Sequence, residues 1–201
     1  MIIRDLGLQS YQPIWAEMQQ FTAQRDATSK DELWLLEHSP VFTLGRNSKD
    51  EHLLDTGEIP VVQTDRGGQV TYHGPGQLIG YTLWDLRRLG ISVRQMVSIL
   101  ENSIITVLAD FAIQAAAQPD APGVYVDDAK IAALGLRVKN GACYHGVSFN
   151  IEMDLSPFAR INPCGFADMA VTDCRQLGIK LDVQQAQTAF SDALMAQLAK
   201  V

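Results

Sequence analysis

The chain has 201 residues, 47% of them hydrophobic, enough to bury a large core without disulfide or metal staples, and a single domain over residues 1–201 is the expectation. A formal net charge of −7 argues against nucleic acid or an anionic membrane as the main partner, leaving Arg87, Arg88 and Arg94 as at most a local basic patch. No apolar run reaches bilayer-spanning length, and the opening MIIRDLGLQSYQPIW lacks a basic, apolar and small-residue leader pattern, so a cytoplasmic location is expected.

Ser10 and Pro13 open a predicted helix in which Tyr11, Trp15 and Met18 recur at helical spacing, with polar residues following to Thr28. Two compact apolar runs, 32–37 and 41–44, split by Ser39-Pro40, read as strands. Residues 47–57 are polar and aperiodic, hence a loop, and strand-like runs at 59–62 and 78–83 flank a glycine-rich segment. From Ser92, with Gln95 completing a capping box, a stripe of Val93, Met96, Val97, Leu100, Ile104, Val107, Leu108 and Phe111 predicts a helix covering one face of a sheet. QPDAPG at 118–123 is a turn-rich connection to strands at 124–126, 130–138 and 143–151, the last two forming a hairpin at Asn140-Gly141. After turns at Ser156-Pro157 and Asn162-Pro163, a helix from Asp182 aligns Val183, Ala186, Phe190, Ala193, Leu194 and Leu198. Strands with interspersed helices, several joined by hairpins, indicate an α+β fold with a mixed, mostly antiparallel sheet flanked by helices.

The glycine-rich segment, RGGQVTYHGPGQ at 66–77, places Arg66, Tyr72 and His73 among four glycines and a proline. Its glycine spacing and the absence of a Gly-Lys-Ser/Thr exclude a phosphate loop, while its backbone freedom suits close approach to a ligand. Cys164 lies in Ile161-Asn162-Pro163-Cys164-Gly165, a turn that can present a thiol. It is either an inert small hydrophobe or a nucleophile, and as a nucleophile it needs an activator, because a free thiol with a pKa of about 8.5 is mostly protonated at neutral pH. Lys130, at the head of the apolar Ile131-Ala132-Ala133-Leu134-Gly135, is either a solvated strand-end lysine or a semi-buried ammonium that lowers the pKa of a neighbouring thiol. His73 and His145 each precede a glycine and are structural or orienting; His38 and His52 give no signal, and no Asp or Glu stands beside His73 or His145 in sequence. Three cysteines without a C-x-x-C spacing, and no i, i+4 histidine pair, leave no metal site; Cys143 and Cys174 read as packing residues.

Four motifs in order, RGGQVTYHGPGQ at 66–77, KIAALGLRV at 130–138, HGVSFN at 145–150 and INPCG at 161–165, resemble the octanoyltransferase (lipoate-protein ligase B) family of lipoate biosynthesis over essentially the whole chain. The resemblance implies the biotin/lipoate protein ligase-type catalytic fold and an acyltransferase that needs no cofactor. It implies an acyl thioester on Cys164, with Lys130 lowering the thiol pKa and serving as acid or base, and His73 in an orienting role. The substrate-contacting stretches carry over to Arg66, Gly67, Gly68, Gln69, Val70, Thr71, Tyr72 and His73, to Ala133, Leu134 and Gly135, and to Gly146, Val147 and Ser148. The implied donor is octanoyl-acyl carrier protein; the implied acceptors are lipoyl domains of 2-oxoacid dehydrogenase complexes and the glycine cleavage H protein. Val70, Tyr72, Ala133, Leu134 and Val147 are the expected apolar slot. An ATP-dependent lipoate or biotin ligase and a non-catalytic acyl-binding module are the competing readings.

Overall fold

A computed structural model describes residues 1–119, 121–163 and 169–201. In chain order the elements are β1 (Ile2–Gln9), α1 (Tyr11–Gln24), β2 (Glu32–His38), β3 (Val41–Leu44), β4 (Val61–Gln63), β5 (Val70–His73), β6 (Gln77–Asp85), α2 (Leu86–Leu89), α3 (Val93–Ala109), β7 (Ala116–Ala117), β8 (Gly123–Val126), β9 (Ala129–Lys139), β10 (Ala142–Asn150) and α4 (Val183–Leu198). Seven strands form one sheet in the order β1-β2-β6-β10-β9-β8-β7, and β4-β3-β5 form a second, smaller one. Only β1/β2 and β3/β4 pair parallel, so the expected mixed and mostly antiparallel arrangement is what the chain adopts. Among the described residues no helix is long and apolar enough to cross a membrane.

Periodicity accounts for the layers. Met96, Leu100, Ile104 and Leu108 of α3 and Ala186, Phe190 and Leu194 of α4 bury against one face of the large sheet, with Trp84, Val124, Ile131 and Phe149. Ile14 and Met18 of α1 cover part of the other face, over Trp34, Leu36, Ile79, Tyr81 and Leu83. Both α3 and α4 start in complete capping boxes, Ser92 with Gln95 and Asp182 with Gln185, which satisfy amide groups that have no partner within the helix. The Asn140-Gly141 turn carries positive φ at both positions, 52° and 83°, as a two-residue hairpin requires.

Four expectations need correcting. β1 has no counterpart in the sequence pattern: it is an edge strand whose residues are mostly exposed, so no alternation marks it. The strand expected at 59–62 forms at Val61–Gln63, and β5 arises inside the glycine-rich segment. β5 and β6, although separated by only three residues, belong to different sheets, so the segment passes from the small sheet to the large one. The apolar stripe of α3 is shorter than its sequence: the helix ends at Ala109, and Val93 and Phe111 are exposed.

Phe190 is fully buried where α4 meets the sheet. Phe190→Ala is expected to destabilise the fold by about 3–5 kcal/mol. Urea unfolding should show a lower midpoint with an unchanged slope.

Candidate functional site

The small sheet and the 66–69 loop lie over the face of the large sheet that carries Ile79 and Tyr81, and a narrow cavity of about 50 Å³ separates them. Gly67 N–H donates to the Leu136 carbonyl at 2.9 Å, pinning the loop to β9. Gly135 permits the approach: a Cβ there would sit 3.1 Å from both Arg66 Cδ and the Gly67 carbonyl oxygen.

Most of the residues expected at the site meet here. Arg66, Gly68, Gln69, Val70, Thr71, His73, Ala133, Leu134, Gly135, Gly146, Val147 and Ser148 all border the cavity. Leu134 and Val147 do so at its edge while packing into the core on the opposite face. The pairs Ala133–Ser148 and Gly135–Gly146 face each other across β9 and β10, so the space comes from the smallness of four side chains. Tyr72 and Gly67 lie elsewhere. Alternation along β5 turns Thr71 and His73 to the cavity and sends Tyr72 into the small-sheet core, where its ring packs edge-on against Phe158 with centroids 5.6 Å apart.

Lys130 reaches a second recess bordered by Thr71, Ala133 and Ser148, the same residues that bound the cavity, together with Gln77, Asn150 and Pro163. A bulge puts it there. Val124 pairs with Ala132 but Tyr125 with Lys130, so β9 carries one extra residue, and both Ile131 and Ala132 enter the helix-side core. Lys130 is thereby returned to the face of Ala133. Its side chain is buried, with Nζ 5.1 Å from the Tyr125 ring centroid and 3.4 Å from the Pro122 carbonyl oxygen. Gly123 makes room, since a Cβ there would come within 3.1 Å of Lys130 Cε. Lys130 N–H donates to the Ala170 carbonyl at 2.8 Å, and Thr172 N–H donates to the Lys130 carbonyl at 3.0 Å. Cys164 lies outside the described residues, whereas Pro163 before it and Val171 after it both border the Lys130 recess.

His73 sits in a directional chain of hydrogen bonds. Arg66 donates to the Thr43 hydroxyl at 2.9 Å and to the Thr43 carbonyl at 2.6 Å, and the Thr43 hydroxyl lies 3.4 Å from His73 Nε2. His73 Nδ1 donates to Gln77 Oε1 at 2.7 Å, because the amide group of Gln77 is already committed as donor to Asn150 Oδ1 at 2.9 Å. Asn150 in turn donates to the Thr172 carbonyl at 2.9 Å. Every member is buried. Burial, reinforced by His38 nearby, pushes His73 down to about 3, so its imidazole is neutral and Nε2 is the acceptor. His73 is held as a fixed neutral link between the sheets.

Two groups unmarked in sequence, Asp65 and His38, support the cavity lining from behind. Asp65 accepts from Trp15 Nε1 at 2.9 Å, from His145 Nε2 at 3.0 Å and from the Tyr144 hydroxyl, which supplies the acidic partner beside His145 that sequence proximity did not reveal. Its partial burial pushes its pKa up, but the bonds from His145, Tyr144 and Trp15 outweigh this and hold it well below the usual carboxylate range. His145 has φ 61°, a left-handed conformation that breaks strand alternation and turns the adjacent Tyr144 and His145 rings to the same side, stacked 5.0 Å apart. His38, which gave no sequence signal, is fully buried; Nδ1 donates to the Gln9 carbonyl at 3.0 Å, and Nε2 accepts from the Tyr81 hydroxyl at 2.7 Å. The helix residue Tyr11 lies against both His38 and His73. No local pattern marks Asp65 or His38, because each meets a cavity-lining residue, His145 or Tyr81, that comes from a distant part of the chain.

Cys143 and Cys174 are buried thiols, pushed up by burial to about 11 and about 12, and remain protonated packing groups. Among the described residues no cluster of His, Cys, Asp or Glu could hold a metal.

Burial lowers His38 to about 4 and His73 to about 3, against about 6.5 in an unfolded chain. The stability tied to these neutral rings is complete above pH 6.5 and is lost as pH falls towards their folded values, because the unfolded chain takes up protons first. The urea midpoint should therefore fall steadily from pH 6.5 to 4, and a flat profile over that interval would contradict the assignment.

The family model of the lipoyl protein ligase A/B catalytic domain matches residues 10–195. An octanoyltransferase from Pseudomonas entomophila is 57% identical over 98% of this chain and 91% of its own length. Among solved structures, a bi-partite lipoate protein ligase from Thermoplasma acidophilum aligns with TM-score 0.75 at 15% identity, covering 99% of this chain and 84% of that one. Biotin protein ligase from Aquifex aeolicus in complex with biotin and ATP aligns with TM-score 0.59 at 12% identity, over 99% and 71%. These last two likenesses concern the fold, and it is the biotin/lipoate ligase-type fold expected from the motifs. With its match running through α1, the cavity strands and most of α4, the chain belongs to the lipoyl protein ligase A/B catalytic domain family, on the octanoyltransferase side of it.

Proposed function

We infer that the protein is an acyltransferase that moves an octanoyl group from acyl carrier protein to a lysine of a lipoyl domain through a thioester on Cys164. The observation that supports this reading is that the cavity and the Lys130 recess share Thr71, Ala133 and Ser148 as walls, with Pro163 and Val171, on either side of Cys164 in sequence, at that recess. In the first half-reaction Cys164 Sγ attacks the donor thioester carbonyl, the carrier's thiol leaves and takes the proton, and one thioester replaces another. That exchange is nearly balanced in energy, so no nucleotide is consumed. In the second, a lysine amine of the acceptor attacks the Cys164 thioester, an amide forms, and the thiol is released with a proton returned to it.

Lys130 serves both steps. As an ammonium it favours the thiolate; as a neutral amine it accepts the proton lost by the incoming lysine. Burying six or seven methylenes of the acyl chain, at about 0.8 kcal/mol each, supplies roughly 5 kcal/mol of binding. The acceptor class is supported by the archaeal lipoate ligase of the same fold, whose structure was determined together with a study of its E2 lipoyl domain. Lipoyl domains of 2-oxoacid dehydrogenase complexes and the glycine cleavage H protein are the proposed acceptors, in a cytoplasmic setting.

Intact-mass measurement after incubation with octanoyl-acyl carrier protein, without ATP, tests the mechanism. The wild type should gain one octanoyl group and lose it when apo lipoyl domain is added, while Cys164→Ala gains none. Full transfer by Cys164→Ala would overturn the thioester step, and strict nucleotide dependence would indicate a ligase. Lys130→Ala should acylate more slowly at neutral pH and recover partly as pH approaches about 8.5, where the unassisted thiol ionises.

A further inference from the structure

The end of the cavity away from Lys130 is polar, and among the described residues two of its groups meet no partner in full hydrogen-bond geometry. His145 is 1% exposed and borders the cavity; because Nε2 donates to Asp65, Nδ1 carries a lone pair, and no group among the described residues meets it. Tyr11, 4% exposed, also borders the cavity; its hydroxyl interacts with the Thr64 and Tyr81 hydroxyls, but among the described residues it meets no group in full hydrogen-bond geometry. A buried acceptor with no partner beside a buried hydroxyl with only imperfect ones calls for an oxygen entering from the cavity side, since leaving such groups unmet is costly.

Strand geometry fixes where this polar end stands along an acyl chain. The cavity and the Lys130 recess meet at the Ala133–Ser148 pair; Gly135–Gly146 lies two residues further along the hairpin, and Leu136–His145 lies three. At about 3.3 Å per residue these levels are about 7 and 10 Å away. Seven carbon–carbon bonds of about 1.5 Å, extended as a zigzag, advance about 9 Å. An octanoyl carbonyl at the Ala133–Ser148 level therefore sends its methyl past the two glycines and stops it just short of His145. Two more carbons would carry the chain about 2.5 Å further, into the unmatched polar atoms.

We propose that Tyr11 and His145 form the length stop of the acyl cavity, binding an oxygen at the chain's far end and rejecting chains whose methylenes would displace it. The inference rests on the octanoyl-transfer reading for the position of the carbonyl. The oxygen's source is water or a hydroxyl on the acyl chain itself: both donate to His145 Nδ1 and accept from Tyr11. His145 is kept in place by its bond to Asp65 and its left-handed backbone, and Tyr11 by its packing against His38 and His73.

The test compares kcat/KM for octanoyl-, decanoyl- and 8-hydroxyoctanoyl-acyl carrier protein, with apo lipoyl domain as acceptor, in the wild type, Tyr11→Phe and His145→Asn. Asn is chosen because it tolerates the left-handed backbone. The decanoyl-to-octanoyl ratio should rise about tenfold in Tyr11→Phe, because the hydroxyl whose lost hydrogen bond penalises the longer chain is gone. His145→Asn should raise it too, and both variants should melt as folded proteins. If the wild type uses the 8-hydroxy donor as well as the octanoyl donor, and Tyr11→Phe does not, the acyl chain supplies the oxygen. If the wild type disfavours the 8-hydroxy donor, water supplies it. A decanoyl-to-octanoyl ratio within twofold of wild type in both variants would overturn the stop. Failure of the wild type to transfer octanoyl at all would instead overturn the function on which it rests.

Discussion

The buried chain of hydrogen bonds from Arg66 through Thr43, His73, Gln77 and Asn150 to the Thr172 carbonyl is the constraint on which the site depends. It begins on the small sheet, crosses to β6 and β10 of the large one, and ends on the segment that pairs with Lys130. Two sheets that share no strand are thus tied together by polar groups, beside the hydrogen bond that pins the 66–69 loop to β9. Such a network stabilises when every member is satisfied and becomes a liability when one is removed. His73 belongs to this frame as a neutral link; its role is to position the groups around it.

A second carboxylate-centred arrangement governs the other end of the cavity. Asp65 gathers donors from α1, from Tyr144 and from His145, and so fixes helix, sheet and loop around one anion. With Nε2 of His145 committed to Asp65, the opposite nitrogen is left facing the cavity as an acceptor. The site consequently has a basic end at Lys130, the residue proposed to act in catalysis, and a polar end at Tyr11 and His145. Between them the wall is made of alanine, serine and glycine pairs, whose small side chains give a flexible hydrocarbon room.

The bulge in β9 shows how local irregularity serves chemistry. Without the extra residue, simple alternation from Ala133 would place Lys130 on the helix-side face; with it, Lys130 lies beside Ala133 and Ser148. Gly123 opposite leaves space for the lysine stem. A regular strand would have carried the same residues and lost the site.

By itself the sequence determined the elements whose signals are local. These are the period of α3 and α4 with their capping boxes, the Asn140-Gly141 hairpin and the apolar runs of β2, β3, β6 and β10. The ordered motifs likewise carried the family, and with it the cluster of Arg66, Thr71, Ala133, Gly135, Gly146 and Ser148. Tertiary structure decided what depends on which face a side chain takes and which distant segment meets it. Alternation on β5 sent Tyr72 away from the cavity that receives Thr71 and His73, and an edge strand with no buried face hid β1 from any pattern. Asp65, Tyr11 and His38 join His145, Tyr81 and His73 from separate elements, up to 80 residues apart for Asp65 and His145. Hydrogen bonds across such separations leave no periodic trace, because their geometry is fixed by packing of whole elements and not by neighbouring residues.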